Sequence, residues 1–231
     1  MKIQDKIKKI MALLGKTYGR PEPFTKDDPV DVLIRTVLSQ NTTDKNSLKA
    51  FAQLKIVFKS WDEALADDAR KIIAVIRHAG LEHIKAKRIK EILAEIKRRE
   101  ERITLSFLNI FTVKDASEYL ESLKGVGPKT AACVLLFSFG KSVMPVDTHI
   151  FRVTKRLGLI AGNIDIEEAH KVLTNIVPKH LIYEFHLGII EHGRRTCKSQ
   201  TPKCGVCVVY GLCKFKKKEF YKKRYFSDTK S

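Results

Sequence analysis

The sequence contains no apolar run close to the roughly 18 residues that a membrane-spanning helix requires, so we expect no membrane-spanning segment. Its first residues mix lysine and aspartate where a secretion signal is apolar, so we expect no export. Polar–apolar alternation is not convincing anywhere, and Asn-Gly and Asp-Gly turns are absent, which argues against β-hairpins. A low-complexity linker and an obvious repeat are lacking too. These absences leave an intracellular protein built from helices.

Acidic residues are few relative to basic ones: the 231 residues include 26 Asp+Glu against 44 Lys+Arg, a net charge of +18. Such an excess in an intracellular chain favours a polyanionic partner, nucleic acid first and an anionic membrane surface second. The segment from Arg194 to Ser231 alone carries a net charge of +10. We interpret this basic end as a phosphate-contacting surface. For residues 214–231 the alternative is a solvated, partly disordered tail, although its aromatic residues could pack or stack.

Apolar residues recur at helical spacing along much of the chain. One stripe runs from Ile3 to Leu14, a second from Val32 to Leu38 and a third from Ile84 to Ile96. Pro21 and Pro23 interrupt the pattern after the first stripe, as expected for residues that break helices. The predicted fold class is therefore all-α.

Cysteine is scarce, and four of the five cysteines fall within 17 residues: Cys197, Cys204, Cys207 and Cys213, separated by six, two and five residues. Two disulfides are a weak explanation, because intracellular thiols stay reduced. Four thiolates this close can instead surround one metal centre. Tetrahedral sulfur ligation admits zinc or an iron–sulfur cluster, and the spacing alone does not choose between them. The fifth cysteine, Cys133, lies in an apolar run and is predicted to be buried.

A glycine-rich segment, Leu123-Lys124-Gly125-Val126-Gly127-Pro128-Lys129-Thr130, separates two helical stretches. Its two glycines permit a tight turn and close approach of another backbone, and proline suits the first position of a helix. The segment therefore predicts a helix, a tight hairpin and a second helix whose exposed N–H groups can hold a phosphate. A plain helix–helix turn is the alternative, since a glycine pair before a helix is a weak signal by itself.

The combination of motifs resembles the endonuclease III family, in the helix–hairpin–helix superfamily of DNA glycosylases. The resemblance covers roughly residues 30–213. Besides the glycine-rich segment and the cysteine spacing, the motifs that carry it are Leu38-Ser39-Gln40-Asn41-Thr42-Thr43-Asp44, Gly80-Leu81, Val146-Asp147-Thr148-His149-Ile150-Phe151-Arg152-Val153 and His192-Gly193-Arg194-Arg195-Thr196-Cys197.

The resemblance implies two helical modules with a DNA cleft between them. One is a six-helix barrel, residues 31–141, which contains the helix–hairpin–helix motif at residues 115–139. The other is built from both chain ends, residues 1–30 and 142–231. In this second module the four cysteines are expected to hold a [4Fe-4S] cluster, and residues 214–231 form its basic tail.

Two residues have the chemistry that a glycosylase with lyase activity needs. Lys129 falls in the first turn of the predicted second helix, where the helix dipole and burial disfavour its ammonium form. A neutral amine can attack the sugar C1′, expel the base and leave a Schiff base from which β-elimination cuts the strand. The carboxylate of Asp147 can stabilise positive charge at C1′ or assist proton transfer. The resemblance places these roles on Lys129 and Asp147; the alternatives are a phosphate contact and a helix N-cap, respectively.

Base excision requires the target nucleotide to leave the duplex. The resemblance nominates the Gln40–Asn41 region and Leu81 to fill the resulting gap. The bacterial endonuclease III pattern has glutamine at the position of Asn41, which leaves open whether Gln40 or Asn41 enters the duplex. Further contacts with DNA are expected from the hairpin and from the loop between the first two cysteines: Gly125, Val126, Gly127, Lys198 and Lys203.

We therefore predict a base-excision-repair DNA glycosylase with AP (apurinic/apyrimidinic site) lyase activity that removes damaged, in particular oxidised, pyrimidines. We expect its partner to be double-stranded DNA with a damaged base or an abasic site, and no membrane. We also expect a monomer in the cytoplasm, associated with the nucleoid. The alternatives are a glycosylase for mismatched thymine, uracil or adenine and a non-catalytic helix–hairpin–helix DNA-binding protein. Lys129 argues against the mismatch enzyme, whose relatives commonly carry Tyr or Ser there. Together, Lys129 and Asp147 argue against the non-catalytic protein.

Overall fold

A computed structural model of the chain describes residues 1–228. These residues form twelve α-helices and five short 3-10 helices without a strand, which confirms the predicted all-α fold. No helix within residues 1–228 has both the length and the apolar character to cross a membrane. The last three residues of the predicted basic tail, 229–231, lie outside the described residues.

The chain forms two compact units. The central unit is Thr25–Lys141, and the terminal unit combines Met1–Phe24 with Ser142–Ser231. The sequence motifs predict the first break after residue 30, whereas the structure has it after Phe24. The physical reason is that residues 27–28 are bonded into the central unit. The Asp27 N–H donates to Phe137 O at 3.2 Å, and the Asp28 carboxylate caps a helix of that unit.

The central unit is organised around its last helix, which is buried over most of its length and packs against the first. Two 3-10 helices, Arg77–Ala79 and Ser106–Asn109, connect longer elements. As predicted, Cys133 is buried in the last helix. The seven helices are α2 (Pro29–Ser39), α3 (Asp44–Val57), α4 (Trp61–Ala66), α5 (Ala69–Ile76), α6 (Glu82–Glu100), α7 (Val113–Glu121) and α8 (Pro128–Phe139).

The terminal unit contains α1 (Ile3–Tyr18), α9 (Thr148–Leu157), α10 (Ile166–Ile176), α11 (Ile182–Arg195) and α12 (Lys218–Asp228), with 3-10 helices at Lys179–Leu181, Cys204–Val206 and Tyr210–Leu212. Helix α11 packs against both α1 and α9. Gly193 permits the close approach of α11 to α9, because a Cβ atom there would lie only 3.0 Å from the His149 Cβ. This contact explains why glycine follows His192 in the sequence motif.

Candidate functional site

The glycine-rich segment of the central unit forms the predicted hairpin between α7 and α8. Gly125 has a φ of +83°, a left-handed conformation that favours glycine. The Val126 N–H donates to Leu123 O at 3.0 Å, and Val126 is only 6% exposed. The Val126 N–H is therefore used inside the turn. A contact between this N–H and a phosphate, as the sequence analysis expected from the hairpin backbone, would have to break that bond.

The N-terminus of α8 is open to a ligand. Gly127 is its N-cap and Pro128 its first residue, so Lys129 lies in the first turn as predicted. Within residues 1–228, the N–H groups of Gly127 and Lys129 donate to no backbone carbonyl. The Lys129 side chain is half-buried, and its amine forms no hydrogen bond or ion pair with any described residue. A half-buried amine thus lies beside backbone N–H groups that can bind an anion.

Three described non-glycine residues of the central unit, Asn41, Leu81 and Glu101, have a left-handed backbone, and the first two lie in the loops nominated by the family resemblance. Asn41 has a φ of 52° and Leu81 a φ of 55°, conformations that cost energy for residues with a Cβ and that concentrate at functional sites. The Asn41 side chain is exposed, and Leu81 is 48% exposed despite being apolar. Gln40 is half-buried, and its Oε1 accepts a hydrogen bond from Arg88 at 2.6 Å. Of the two candidates left open by the sequence, Asn41 is the one whose side chain is exposed to solvent.

In the terminal unit, Asp147 is the N-cap of α9, which is the alternative role considered for it. Its Oδ1 accepts the Ile150 N–H at 2.7 Å, and the side chain is half-buried. This bond engages one carboxylate oxygen. Capping therefore fixes the orientation of the carboxylate without using all of its acceptor capacity.

All four cysteines of the terminal unit line one cavity, which His192 and Arg156 also line. Burial raises the pKa of the Cys204 thiol to about 11 and that of Cys207 to about 12. Burial also lowers the pKa of His192 to about 4, so its imidazole is neutral near pH 7. Within residues 1–228, no three His, Cys, Asp or Glu side chains are grouped tightly enough to hold a single metal ion.

Two arginines on α9 fix the loop that follows the first cysteine, a role that sequence analysis missed. Arg152 Nε donates to Cys197 O at 3.0 Å, and Arg156 donates to the carbonyls of Lys198 and Ser199 at 2.7 and 2.8 Å. Arg156 Nη1 also lies 3.4 Å from the Cys197 Sγ. The available signal was their i, i+4 spacing, which places both on one face of a helix.

The two lysines predicted to contact phosphate, Lys198 and Lys203, are exposed on this same loop. Both backbone N–H groups donate to Thr196 O, at 3.0 and 2.9 Å, so the loop folds back on the end of α11. The side chains are therefore presented from a backbone with defined hydrogen bonds.

The basic tail folds onto the cysteine loop. Helix α12 packs against the turn Cys204–Val206, and a Cβ atom on Gly205 would lie 2.5 Å from Tyr225 Cδ1. Lys218 Nζ donates to Cys213 O at 2.9 Å. The disordered-tail alternative is thus wrong for Lys218–Asp228, because aromatic packing and this bond order the segment. Contact between the tail and phosphate remains a prediction.

The chain is similar to known DNA repair proteins. The family model described as HhH-GPD superfamily base excision DNA repair protein matches residues 34–179. Endonuclease III from Thermotoga maritima is 35% identical over 204 residues, which cover 88% of this chain and 89% of that protein. A protein named as a DNA glycosylase in Arabidopsis thaliana is 36% identical over 180 residues, 77% of this chain and 61% of the plant protein.

Among solved structures, a trapped endonuclease III–DNA covalent intermediate in an estranged-adenine complex matches with a TM-score of 0.79 and 29% identity, covering 95% of this chain and 100% of that one. The chain therefore belongs to the HhH-GPD superfamily of base excision DNA repair proteins. Endonuclease III matches it over nearly the whole chain, which confirms the family resemblance inferred from the sequence motifs.

Proposed function

We propose that this protein is a DNA glycosylase with AP lyase activity that excises damaged bases from duplex DNA. The observation that carries the proposal is the Lys129 amine. It is half-buried, lies in the first turn of α8 directly after the glycine hairpin, and has no partner among the described residues. An amine that neither pairs with an acid nor donates to a carbonyl is available as a nucleophile.

The reaction begins with attack of the Lys129 Nζ lone pair on C1′ of the target nucleotide. The C1′–N bond breaks, and the base leaves with its electron pair and is protonated. The resulting secondary ammonium then loses a proton, and its lone pair forms a C1′=Nζ double bond as the C1′–O4′ bond breaks; the bonding electrons go to O4′, which takes up a proton, so the sugar ring opens and leaves an iminium. Removal of a C2′ proton drives cleavage of the C3′–O bond, so the 3′ phosphate departs and the strand is cut.

Asp147 is the proposed partner in base release. A carboxylate oriented by its cap bond to Ile150 can stabilise positive charge that develops at C1′ or move a proton during base departure. General acid–base assistance of this kind contributes typically about 100- to 10,000-fold in rate.

Contact with DNA is proposed for residues in both units. Asn41 and Leu81, exposed from left-handed turns, would fill the space that the extruded nucleotide leaves. The N–H groups of Gly127 and Lys129 would bind a phosphate at the N-terminus of α8. Lys198 and Lys203 would pair with other phosphates. A protein with this activity works where the chromosome is, which we propose is the nucleoid in the cytoplasm.

We further propose that the four cysteines hold a [4Fe-4S] cluster. The support is the donor set, since four sulfurs line one cavity beside the Arg156 guanidinium, and sulfur ligation is what such clusters use. When bound, the cluster would hold the loop that carries Lys198 and Lys203 in one conformation, so its contribution is structural. The purified protein should contain about four iron atoms per chain. Cys207→Ala should lower the iron content, whereas Cys133→Ala should leave it unchanged; colourless, zinc-rich protein would overturn the assignment.

Oxidised pyrimidines are the proposed substrate class. The support for this proposal is the similarity to endonuclease III. Single-turnover excision rates on duplexes that differ only in the damaged base should be highest for a thymine-glycol-type lesion. Faster excision of thymine or uracil opposite guanine would favour the mismatch-directed alternative.

The glycosylase–lyase proposal is tested by borohydride trapping on a duplex with one damaged base or one abasic site. The parent protein should form a covalent adduct, and Lys129→Ala should abolish the adduct while DNA binding is largely retained. The control is Lys114→Ala, which removes an exposed lysine of α7 in the same unit and should leave the adduct yield unchanged. Absence of an adduct with the parent protein would refute the lyase activity.

A further inference from the structure

Helix α6 carries a buried lysine that the proposed reaction does not use. Lys85 is only 2% exposed, and its Nζ donates to two backbone carbonyls, Leu38 O and Ala79 O, each at 2.8 Å. Burial lowers the pKa of this lysine from its ordinary value. These two carbonyls accept the hydrogen bonds that the buried Lys85 Nζ needs, so the position of Nζ relative to both loops is closely defined.

The two acceptor carbonyls lie next to the two loops that contain Asn41 and Leu81. Leu38 lies in the last turn of α2, two residues before Gln40, and Ala79 immediately precedes Gly80–Leu81. One ammonium group at 2.8 Å from both oxygens holds the starting points of the two loops close together. The separation of Asn41 and Leu81, which the proposed function places in the duplex, therefore depends on Lys85.

A second cation on α6, one turn further along, reaches the third DNA-contacting segment. Arg88 Nη1 donates to Gln40 Oε1 at 2.6 Å, and the same side chain lies over Gly125 of the hairpin. A Cβ atom on Gly125 would be 2.3 Å from the Arg88 Nε. Lys85 and Arg88, three residues apart on one helical face, thus contact all three loops.

We propose that Lys85 and Arg88 are positioning residues that hold three segments in one arrangement before DNA binds: the glycine hairpin and the two loops that contain Asn41 and Leu81, here called the wedge loops. The proposal rests on the proposed function. Loops that are already ordered lose little conformational freedom on binding, so more of the contact energy with DNA is available to extrude the nucleotide. Without these bonds Asn41 and Leu81 would still reach the duplex, but their loops would have to become ordered while the nucleotide is extruded.

The chain supplies a matched control for a merely structural effect. Lys90, on the same helix, also donates from Nζ to two backbone carbonyls, those of Leu65 and Asp67. These carbonyls lie at the end of α4 and directly after it, in a segment without left-handed residues. Lys85→Met and Lys90→Met therefore each remove an ammonium group that donates to two backbone carbonyls. The first variant loses these bonds beside the wedge loops, and the second loses them at the end of α4.

The experiment compares two substrates for each variant: a duplex with one damaged base, which requires extrusion, and a single-stranded abasic oligonucleotide, which does not. We expect Lys85→Met to slow excision from the duplex about tenfold or more, because misplacement by about 1 Å is costly, while cleavage of the single strand stays at the parent rate. Lys90→Met should leave both rates unchanged. The proposal would be overturned if Lys85→Met and Lys90→Met slowed duplex excision equally, or if Lys85→Met slowed the reaction equally on the two substrates. It would also be overturned if Lys85→Met excised the base from the duplex at the parent rate.

Arg88 provides a second test that does not depend on a buried substitution. Gln40→Ala removes only the hydrogen bond, whereas Arg88→Ala removes this bond and the contact with Gly125, so the double variant should slow duplex excision little more than Arg88→Ala alone. Additive losses would contradict a shared positioning role. A parent protein that cleaves neither substrate would refute the proposed function itself, an outcome distinct from failure of the positioning proposal.

Discussion

The two roles assigned to Asp147 can be separated by two substitutions. Asparagine caps a helix as well as aspartate does, so Asp147→Asn keeps the bond to the Ile150 N–H and removes the negative charge. Alanine removes both the cap and the charge. If the carboxylate assists base release, both variants should lose activity, but only the alanine variant should lose stability.

The expected magnitudes follow from the geometry of the cap. Loss of one N-cap hydrogen bond of 2.7 Å costs about 1 kcal/mol of unfolding free energy, which corresponds to a decrease in Tm of about 2–4 °C for a chain of this size. Asp147→Asn should leave Tm within error of the parent. Loss of the carboxylate should slow base release by about 100-fold or more in both variants.

The assay pairs thermal unfolding, followed by circular dichroism, with single-turnover base release. Asp165 is the control, because it caps α10 in the same unit through a 2.7 Å bond from the Glu168 N–H. Asp165→Ala should lower Tm about as much as Asp147→Ala and leave base release unchanged. A parent-like rate of base release in Asp147→Asn would refute the catalytic role, and an equal loss of Tm in the two Asp147 variants would refute the reasoning about the cap.

Three further predictions concern the hairpin, the cysteine loop and the C-terminal helix. Gly125→Ala should lower the unfolding free energy by about 1–2 kcal/mol and weaken DNA binding, because φ is +83° and the added methyl group collides with the Arg88 guanidinium. Gly127→Ala should lower the unfolding free energy much less, because Gly127 has open space and an ordinary φ. A denaturant titration of both variants measures the difference. Lys198→Ala and Lys203→Ala should each reduce the slope of log K against log salt by about 1; an unchanged slope would exclude the phosphate contact. Ending the chain at Lys217 should accelerate loss of iron to a chelator, because α12 covers the cysteine loop; an equal rate would show that this cover does not protect the metal.

The sequence predicted the features that depend on local patterns. Apolar stripes identified α1, α2 and α6, and the glycine-rich segment identified the turn between α7 and α8. Asp147 was anticipated as the N-cap of the helix that follows it, and the structure contains that cap. In each case the determining interactions lie within a few residues of each other, so residue order alone contains the information.

Interactions between segments distant in sequence were not predictable in this way. The bond from Arg88 to Gln40 joins positions 48 residues apart, and the contact of α12 with the cysteine loop depends on a tyrosine that meets a glycine. The sequence of residues 214–231 allows a solvated basic tail because its seven lysines outnumber its five aromatic residues. Even in the structure none of the residues of α12 is fully buried. Only the tertiary structure distinguishes Asn41 from Gln40, since one is exposed and the other accepts a hydrogen bond.

The most direct test of the central claim is to identify the residue that bonds to DNA. The protein is trapped with borohydride on a duplex carrying one abasic site, digested with protease and nuclease, and analysed by tandem mass spectrometry. We predict that the reduced sugar fragment is attached to the Nζ of Lys129 and to no other amine. Attachment to another lysine or to the N-terminal amine would contradict the assignment of Lys129 as the nucleophile.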